Sequence, residues 1–251
     1  MIEINKLYNE NNLQTMSKIV DHMVDGIITS PPYNIATKRK DNYYNTGYSD
    51  DLSEEDYLQV RVNEFKEFER VLKDTGVVCY NISYHKENPI LPTLLISEIH
   101  KQTGMTVADI ITWKKSSSMP FQSSATKLSR RCELIYIMVK KEHLHDFTTN
   151  KKISKINSKT NQVFYKHYTN LVEARNNDGV ISKLKATYSS ELVCKLIDIY
   201  FPPGSLIYDP FMGIGTTAVG CKMCGRNFIG SELDSESYQI GLDRTTSLVL
   251  S

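Results

Sequence analysis

The chain has 251 residues, enough for one α/β domain with an insertion or for two small domains. With 40% hydrophobic and 24% charged residues it has the make-up of a globular protein, and no run reaches the roughly 20 apolar residues of a membrane span. The net charge of +1 hides a division, because positions 114–185 hold 15 of the 30 lysines and arginines but 5 of the 29 acids, so one basic surface is expected on an acidic body.

Short apolar runs alternate with longer amphipathic stretches, a rhythm that predicts a mostly parallel sheet wrapped by helices. The first residues, Met1-Ile2-Glu3-Ile4-Asn5-Lys6, lack the basic start and apolar stretch of a signal peptide, so an intracellular location is expected. A strand is predicted over 2–8, a helix over 12–19 and a strand over 25–29. A helix over 54–73 follows, with Ser53 as N-cap and Glu54, Glu55 and Asp56 at the positive end of its dipole. Its apolar positions Tyr57, Val60, Phe65, Phe68 and Leu72 recur at the spacing of a buried face. Next come a strand over 76–82, a helix over 89–102, and strands over 106–113 and 132–139. Positions 114–131 and 145–185 break the rhythm with serines, lysines and asparagines, and long irregular stretches inside a compact domain are usually functional or disordered. The chain then resumes with a helix over 188–201, a strand over 205–208, a helix over 215–224, a strand over 227–231 and a helix over 234–247.

The five cysteines are scattered and are expected to be free thiols. Cys221-Lys222-Met223-Cys224 has metal-like spacing, but a structural zinc site needs about four ligands and no second pair lies nearby. No metal is therefore expected, and His143 and His145 are read as surface residues.

Two motifs carry chemistry. In Asp209-Pro210-Phe211-Met212-Gly213-Ile214-Gly215-Thr216-Thr217, glycines stand at a strand-to-helix turn, where they let the backbone approach a ligand. Glu232 ends the next strand 19 positions after Gly213, the place of an acidic residue that binds ribose hydroxyls. The third glycine of a dinucleotide fingerprint is absent, Ala218 standing there, and so is the Gly-Lys-Ser/Thr of a phosphate loop. A nucleoside ligand without a pyrophosphate is favoured. The second motif is Thr29-Ser30-Pro31-Pro32-Tyr33-Asn34. Consecutive prolines restrict the backbone and remove donors, so Ser30 Oγ and the Pro31 carbonyl can both serve as acceptors for an NH₂ group, while Tyr33 offers a flat face to a base. Each motif alone is also compatible with an ordinary glycine or proline turn.

Together the motifs resemble those of the DNA amino-methyltransferases, which make N4-methylcytosine or N6-methyladenine. Ser30-Pro31-Pro32-Tyr33 is similar to the catalytic motif of that family, and Phe211-Met212-Gly213-Ile214-Gly215 to its cofactor loop. The order, catalytic motif first and cofactor motif last, resembles the circularly permuted β group. Tyr8-Asn9-Glu10-Asn11-Asn12-Leu13 resembles the segment ahead of the catalytic strand, with Asn11 where the family usually has an acid near the cofactor adenine. Leu184-Lys185-Ala186-Thr187-Tyr188-Ser189 resembles the segment before the cofactor loop without its usual His and Pro, and Ile111 to Lys114 and Cys132 to Tyr136 match weaker motifs.

The resemblance implies a Rossmann-like, seven-stranded, mostly parallel sheet with one antiparallel strand and helices on both faces, the class I methyltransferase fold in permuted order, plus a small irregular recognition insertion. Positions 1–144 would be the catalytic half, 145–185 a target-recognition insertion and 186–251 the cofactor-binding half. It implies S-adenosylmethionine as cofactor, held by Asn11, Asp209, Phe211, Gly213, Gly215, Thr216, Thr217 and Glu232, and catalysis by Ser30, Pro31, Pro32 and Tyr33. The basic segments are left to contact double-stranded DNA through Lys127, Arg130, Arg131, Lys151, Lys152 and Lys155. Their small size suggests a short target or help from a second subunit in a homodimer, and a cognate restriction endonuclease is a further candidate partner. Serine in the first catalytic position is commoner among cytosine-N4 enzymes and aspartate among adenine-N6 enzymes, so cytosine is the expected base. A catalytically inactive DNA-binding partner on the same fold and a nicotinamide oxidoreductase are the competing classes. Intact Ser30 to Tyr33 argues against the first and the missing third glycine against the second.

Overall fold

A computed structural model describes residues 2–34, 52–84, 88–117, 125, 128–180, 182 and 187–248. In chain order the elements are β1 (Lys6–Tyr8), α1 (Asn12–Met16), β2 (Val24–Thr29), α2 (Glu54–Val71), β3 (Leu72–Ile82), α3 (Leu91–Gln102), β4 (Met105–Lys115) and β5 (Cys132–Lys140). After a short 3-10 helix at Lys141–Asp146 come β6 (Ile153–Ile156), β7 (Val163–Tyr165), β8 (Leu171–Ala174), α4 (Ser190–Tyr200), β9 (Leu206–Asp209), α5 (Thr216–Met223), β10 (Asn227–Ser231) and α6 (Ser235–Ser247).

The main sheet has the order β1-β10-β9-β2-β3-β5-β4-β8, and β6 and β7 form a separate two-stranded sheet. Among the described residues β5 alone runs antiparallel to its neighbours in the main sheet. The sheet therefore holds eight strands where seven were expected. The extra one, β8, lies inside the stretch read as an insertion and pairs in parallel with the end of β4, where Trp113 Nε1 donates to the Ala174 carbonyl at 3.2 Å. Four residues between Asn170 and Arg175 are too few to show a period-2 signal. Two further boundaries move. The strand expected from position 2 begins at Lys6, after Asn5 turns through a left-handed conformation with φ 60°. The strand expected from 76 begins at Leu72, which pairs with Val24 across an irregularity in register.

Side-chain alternation along the central strands sorts the core into two layers. Val78, Tyr80 and Ile82 of β3 point to the face covered by α1, α2 and α3, with Tyr57, Phe65 and Phe68 of α2 packed there. Val77 and Cys79 point to the other face, with Leu192, Leu196 and Ile197 of α4 and Ala218 and Cys221 of α5. Helices thus cover both faces, as a parallel sheet requires. Helix α2 starts where its cap demands, the Ser53 side chain accepting from the Asp56 N–H at 3.1 Å, and it passes without a linker into β3. Gly26 is needed where β2 passes the end of α4, since a Cβ there would lie 2.1 Å from the Phe201 ring. All five cysteines are free thiols. Among the described residues no helix is long and apolar enough to cross a membrane.

Candidate active site at the carboxyl edge of the sheet

Strands β2 and β9 are neighbours at the centre of the sheet, and from them the chain order runs outward in opposite directions. Open α/β sheets bind ligands at such a switch point, outside the carboxyl ends of the strands. Both motifs lie there, and one buried carboxylate ties them together. Asp209, 0% exposed, accepts from Thr29 Oγ1 at 2.7 Å and the Phe211 N–H at 3.0 Å on one oxygen. Its other oxygen accepts from Thr217 Oγ1 at 2.5 Å and Tyr188 Oη at 2.9 Å. Burial pushes the Asp209 carboxyl above the usual range, and the four donors oppose that shift. Asp209 and Thr217 are thus bonded to each other inside the protein and brace the loop between them.

The loop turns through Gly213 at φ 55° and Gly215 at φ 78°, both left-handed. Gly215 answers a second constraint as well, since a Cβ there would meet Gly241 of α6 at 2.8 Å. Glu232, 5% exposed at the end of β10, accepts the Gly213 N–H at 2.8 Å on one oxygen and the Asp234 N–H at 2.8 Å on the other. Burial raises its carboxyl to about 7 against the pull of those two donors. Each oxygen keeps a second lone pair. Phe211 is half-buried, with the Arg61 guanidinium 5.0 Å from its ring centre. Arg61 pairs in turn with the buried Glu64 at 3.2 Å, and Glu64 also accepts from Asn12 Nδ2 at 3.0 Å. Thr216 Oγ1 accepts from Arg244 at 3.2 Å. Asn11 caps α1, its side chain accepting from Leu13 N at 2.9 Å. Its neighbour Asn9 reaches the Glu232 carbonyl at 2.9 Å.

The Ser30 to Tyr33 loop leaves β2 next to the Asp209 turn, to which Thr29 is bonded. Ser30 Oγ and the Tyr33 hydroxyl are 2.6 Å apart, and Tyr57 donates to the Pro32 carbonyl at 3.0 Å. Asn34, at φ 55°, closes the turn by exchanging two hydrogen bonds with the Leu52 backbone, each 2.9 Å. Residues 31–34 are thereby fixed from α2 and its lead-in. The Asn81 side chain donates to Tyr33 Oη at 3.0 Å and to Glu133 Oε2 at 3.0 Å.

The DNA methylase family profile matches residues 24–243, which includes the Ser30 to Tyr33 loop, the Asp209 to Thr217 loop and Glu232. The chain belongs to the N6/N4 DNA methylase family. Among its relatives, the type II methyltransferase M.MthZI of Methanothermobacter thermautotrophicus is 29% identical over 91% of this chain and 73% of its own length. The type II methyltransferase M.BglII of Bacillus subtilis is 25% identical over 94% of this chain and 69% of its own. Among solved structures, the cytosine-N4-specific PvuII DNA methyltransferase superposes with a TM-score of 0.73 at 18% identity, covering 98% of this chain and 88% of that one. The M1.HpyAVI–SAM complex superposes with a TM-score of 0.62 at 20% identity, covering 96% and 98%. These likenesses show the class I methyltransferase fold.

The basic side chains of this methylase are unevenly placed. Lys127, and Leu184 to Ala186 of the segment before the cofactor loop, lie outside the described residues. Arg130 stacks over the Tyr84 ring at 4.1 Å and donates to the Tyr84 carbonyl at 2.6 Å, beyond the end of β3. Arg131 is exposed. Lys152 and Lys155 are exposed and Lys151 half-buried, at and before the β6–β7 hairpin, well removed in the chain from Arg130. Lys152 pairs with Asp198 of α4 at 2.8 Å. Motif reading gave no role to Arg61, Asn81, Lys115 or Glu133, although Glu133 lies within the weaker match from Cys132 to Tyr136. Asn81 did carry a signal, as a polar letter near the carboxyl end of an apolar strand.

Proposed function

We propose that this methylase transfers the methyl group of S-adenosylmethionine to N4 of a cytosine flipped out of double-stranded DNA. The observation that carries the reading is the bond from Thr29 to Asp209, which joins the acceptor loop 30–33 to the turn that leads to Glu232. Methyl donor and acceptor must meet at one point, and orientation supplies much of the rate.

The residues around the Gly213 turn fit the cofactor. Glu232 is buried with lone pairs left for two ribose hydroxyls, the backbone at Gly213 is bare, and Phe211 offers a ring. S-adenosylmethionine supplies, when bound, an electrophilic methyl on a sulfonium. The chain supplies acceptors. Ser30 Oγ and the Pro31 carbonyl stabilise the positive charge that develops on the amine, and the Tyr33 ring stacks on the base. An extruded base reaches such a cleft at the expense of its own stacking and pairing. Serine rather than aspartate at position 30 favours cytosine, and the PvuII enzyme that shares the fold is cytosine-N4-specific. Arg130, Arg131 and the lysines of the 151–166 hairpin are assigned to phosphates, with Lys127 added from its sequence position.

Labelled methyl transfer to unmethylated genomic DNA, followed by mass spectrometry of the nucleosides, tests the reading. N4-methylcytosine is expected. N6-methyladenine alone would change the base and keep the cleft. Ser30→Ala should slow transfer by about 10²-fold, the lower end for one lost acceptor, because the Pro31 carbonyl remains. Tyr33→Ala should weaken base capture by about 1–3 kcal/mol while S-adenosylmethionine still binds. Full activity in Tyr33→Ala would overturn the cleft.

A further inference from the structure

Four adjacent strands bring polar side chains to the same edge. Ser30 follows β2, Asn81 stands next to last in β3, Glu133 second in β5, and Lys115 closes β4. They form one chain of polar contacts. Lys115 Nζ pairs with Glu133 Oε1. Asn81 Nδ2 donates to Glu133 Oε2 at 3.0 Å and to Tyr33 Oη at 3.0 Å, with Ser30 Oγ at 3.4 Å. Tyr33 Oη and Ser30 Oγ lie 2.6 Å apart.

A carboxylate only accepts, and an amide nitrogen has two hydrogens. Glu133 therefore fixes which way the Asn81 amide points, since the flipped amide would set Oδ1 against the carboxylate. Both hydrogens of Nδ2 are then spent. The oxygen is not: Asn81 is 5% exposed, and Oδ1 has no hydrogen-bond partner among the described residues. Buried polar atoms without partners are rare and unfavourable. This one is covalently one atom removed from a nitrogen within 3.4 Å of Ser30 Oγ. An ion pair that orients an amide so that its nitrogen meets the acceptor loop and its buried oxygen is left without a partner makes sense if a donor arrives with the substrate.

We propose that Asn81 Oδ1 accepts a hydrogen bond from the amino group of the target base, as an acceptor beside Ser30 Oγ and the Pro31 carbonyl. Glu133 and Lys115 are positioning residues that hold the amide in that sense. The inference rests on the methyl-transfer reading above but not on the choice of cytosine, because adenine also presents an NH₂ group. As positive charge develops on that nitrogen the bond to Oδ1 strengthens, which places its effect on the chemical step.

The test compares wild type with Asn81→Ala, Asn81→Asp, Glu133→Gln and the Asn81→Asp/Glu133→Gln double variant. Single-turnover transfer of labelled methyl to unmethylated genomic DNA is measured, with S-adenosylmethionine affinity by calorimetry in parallel. Asn81→Ala should slow transfer about 100-fold, with cofactor affinity held within about twofold. Glu133→Gln should slow it roughly tenfold. Asn81→Asp sets two carboxylates side by side, and the double variant exchanges carboxylate and amide, so it should recover roughly tenfold over Asn81→Asp. Transfer within about twofold of wild type in Asn81→Ala overturns the proposal. So does a loss of rate matched by an equal loss of cofactor affinity, the mark of a structural role. A double variant no faster than Asn81→Asp overturns the positioning role of Glu133. A wild-type chain that methylates no DNA overturns the functional reading, and this inference with it.

Discussion

Around Asp209 four donors from the chain itself converge on one buried carboxylate, whereas every residue of β6 and β7 is exposed. The hairpin and its flanks carry Lys151, Lys152, Lys155, Lys159 and Lys166, and no acid stands between Asp146 and Glu173. Ile153, Ile156 and Tyr165 are exposed on the same hairpin, so it brings apolar as well as cationic groups to solvent. On the proposed function the difference separates two tasks. Chemistry needs groups pre-oriented before the substrate arrives, and the protein supplies their partners internally. Binding a polyphosphate needs cations that exchange water and counterions for the ligand, and internal partners would oppose that.

The largest expected effect lies at the internal hub. Asp209→Ala would leave the Thr29 hydroxyl and the Phe211 N–H without their acceptor, and the Thr217 and Tyr188 hydroxyls with only each other at 2.5 Å. Unpaired buried groups of this kind are among the few causes of large losses, and about 3 kcal/mol or more of folding stability is expected to disappear, read from urea or thermal unfolding. Asp209→Asn keeps an acceptor on one side and should lose less. If Asp209→Ala unfolds like wild type, the hub is not what holds the two loops together.

Glu232 comes next, and its effect depends on pH. Its carboxyl sits at about 7 in the folded chain, above the ordinary value of 4.5, because of burial. The folded state therefore holds this proton more tightly than the unfolded one. The stability linked to it is fully present below pH 4.5 and is lost as pH rises through about 7, a change of about 3 kcal/mol at most. Ribose hydroxyls donate to the ionised form, so cofactor affinity should move the other way and increase from about pH 6 to 8. Glu232→Ala should weaken S-adenosylmethionine by about 1.5–3 kcal/mol, or 10–150-fold, at pH 8. Glu232→Gln should flatten both pH profiles. Calorimetry across this range that finds wild-type affinity independent of pH would remove the ribose assignment.

The hub and the hairpin also differ in how far they could be read from the letters. Asp209 to Thr217 and Ser30 to Tyr33 announced themselves because their residue types constrain the backbone: glycine at the positive φ of positions 213 and 215, and two prolines that fix φ and carry no N–H. The long helices and the central strands followed from periodicity. Strand β8 and the β6–β7 hairpin did not, because each strand is four residues or fewer and lies among Asn, Lys and Thr. Nor could spacing reveal that Asn81, Glu133 and Lys115 meet. Their contact depends on β5 running antiparallel between β3 and β4, which returns its first residues to the edge where the other two strands end. Partnership between strands distant in sequence is a property of topology, and local pattern is silent about it.

The smallest effects belong to single lysines, and two of them sharpen the contrast. Lys155 extends from β6 over the Phe164 ring at 4.9 Å, with no acid in that stretch of chain. Lys152, three residues earlier, is 2.8 Å from Asp198. A cation that contacts a phosphate releases about one counterion, so losing it flattens the dependence of log affinity on log salt by about one unit for all sequences alike. Lys155→Ala should show that full change. Lys152 must first give up Asp198, and removing it also frees that carboxylate to repel the duplex. Its loss should thus weaken binding at low salt while changing the slope by less than Lys155 does. Neither substitution should alter folding stability by more than about 0.5 kcal/mol, since both side chains are exposed. Fluorescence anisotropy on duplex DNA between about 50 and 200 mM salt measures the slopes. A slope unchanged in Lys155→Ala would take the hairpin off the DNA. Equal slopes for the two variants would mean that the Asp198 pair opens freely, and the line drawn here between internally partnered and ligand-facing groups would then have to pass on the other side of Lys152.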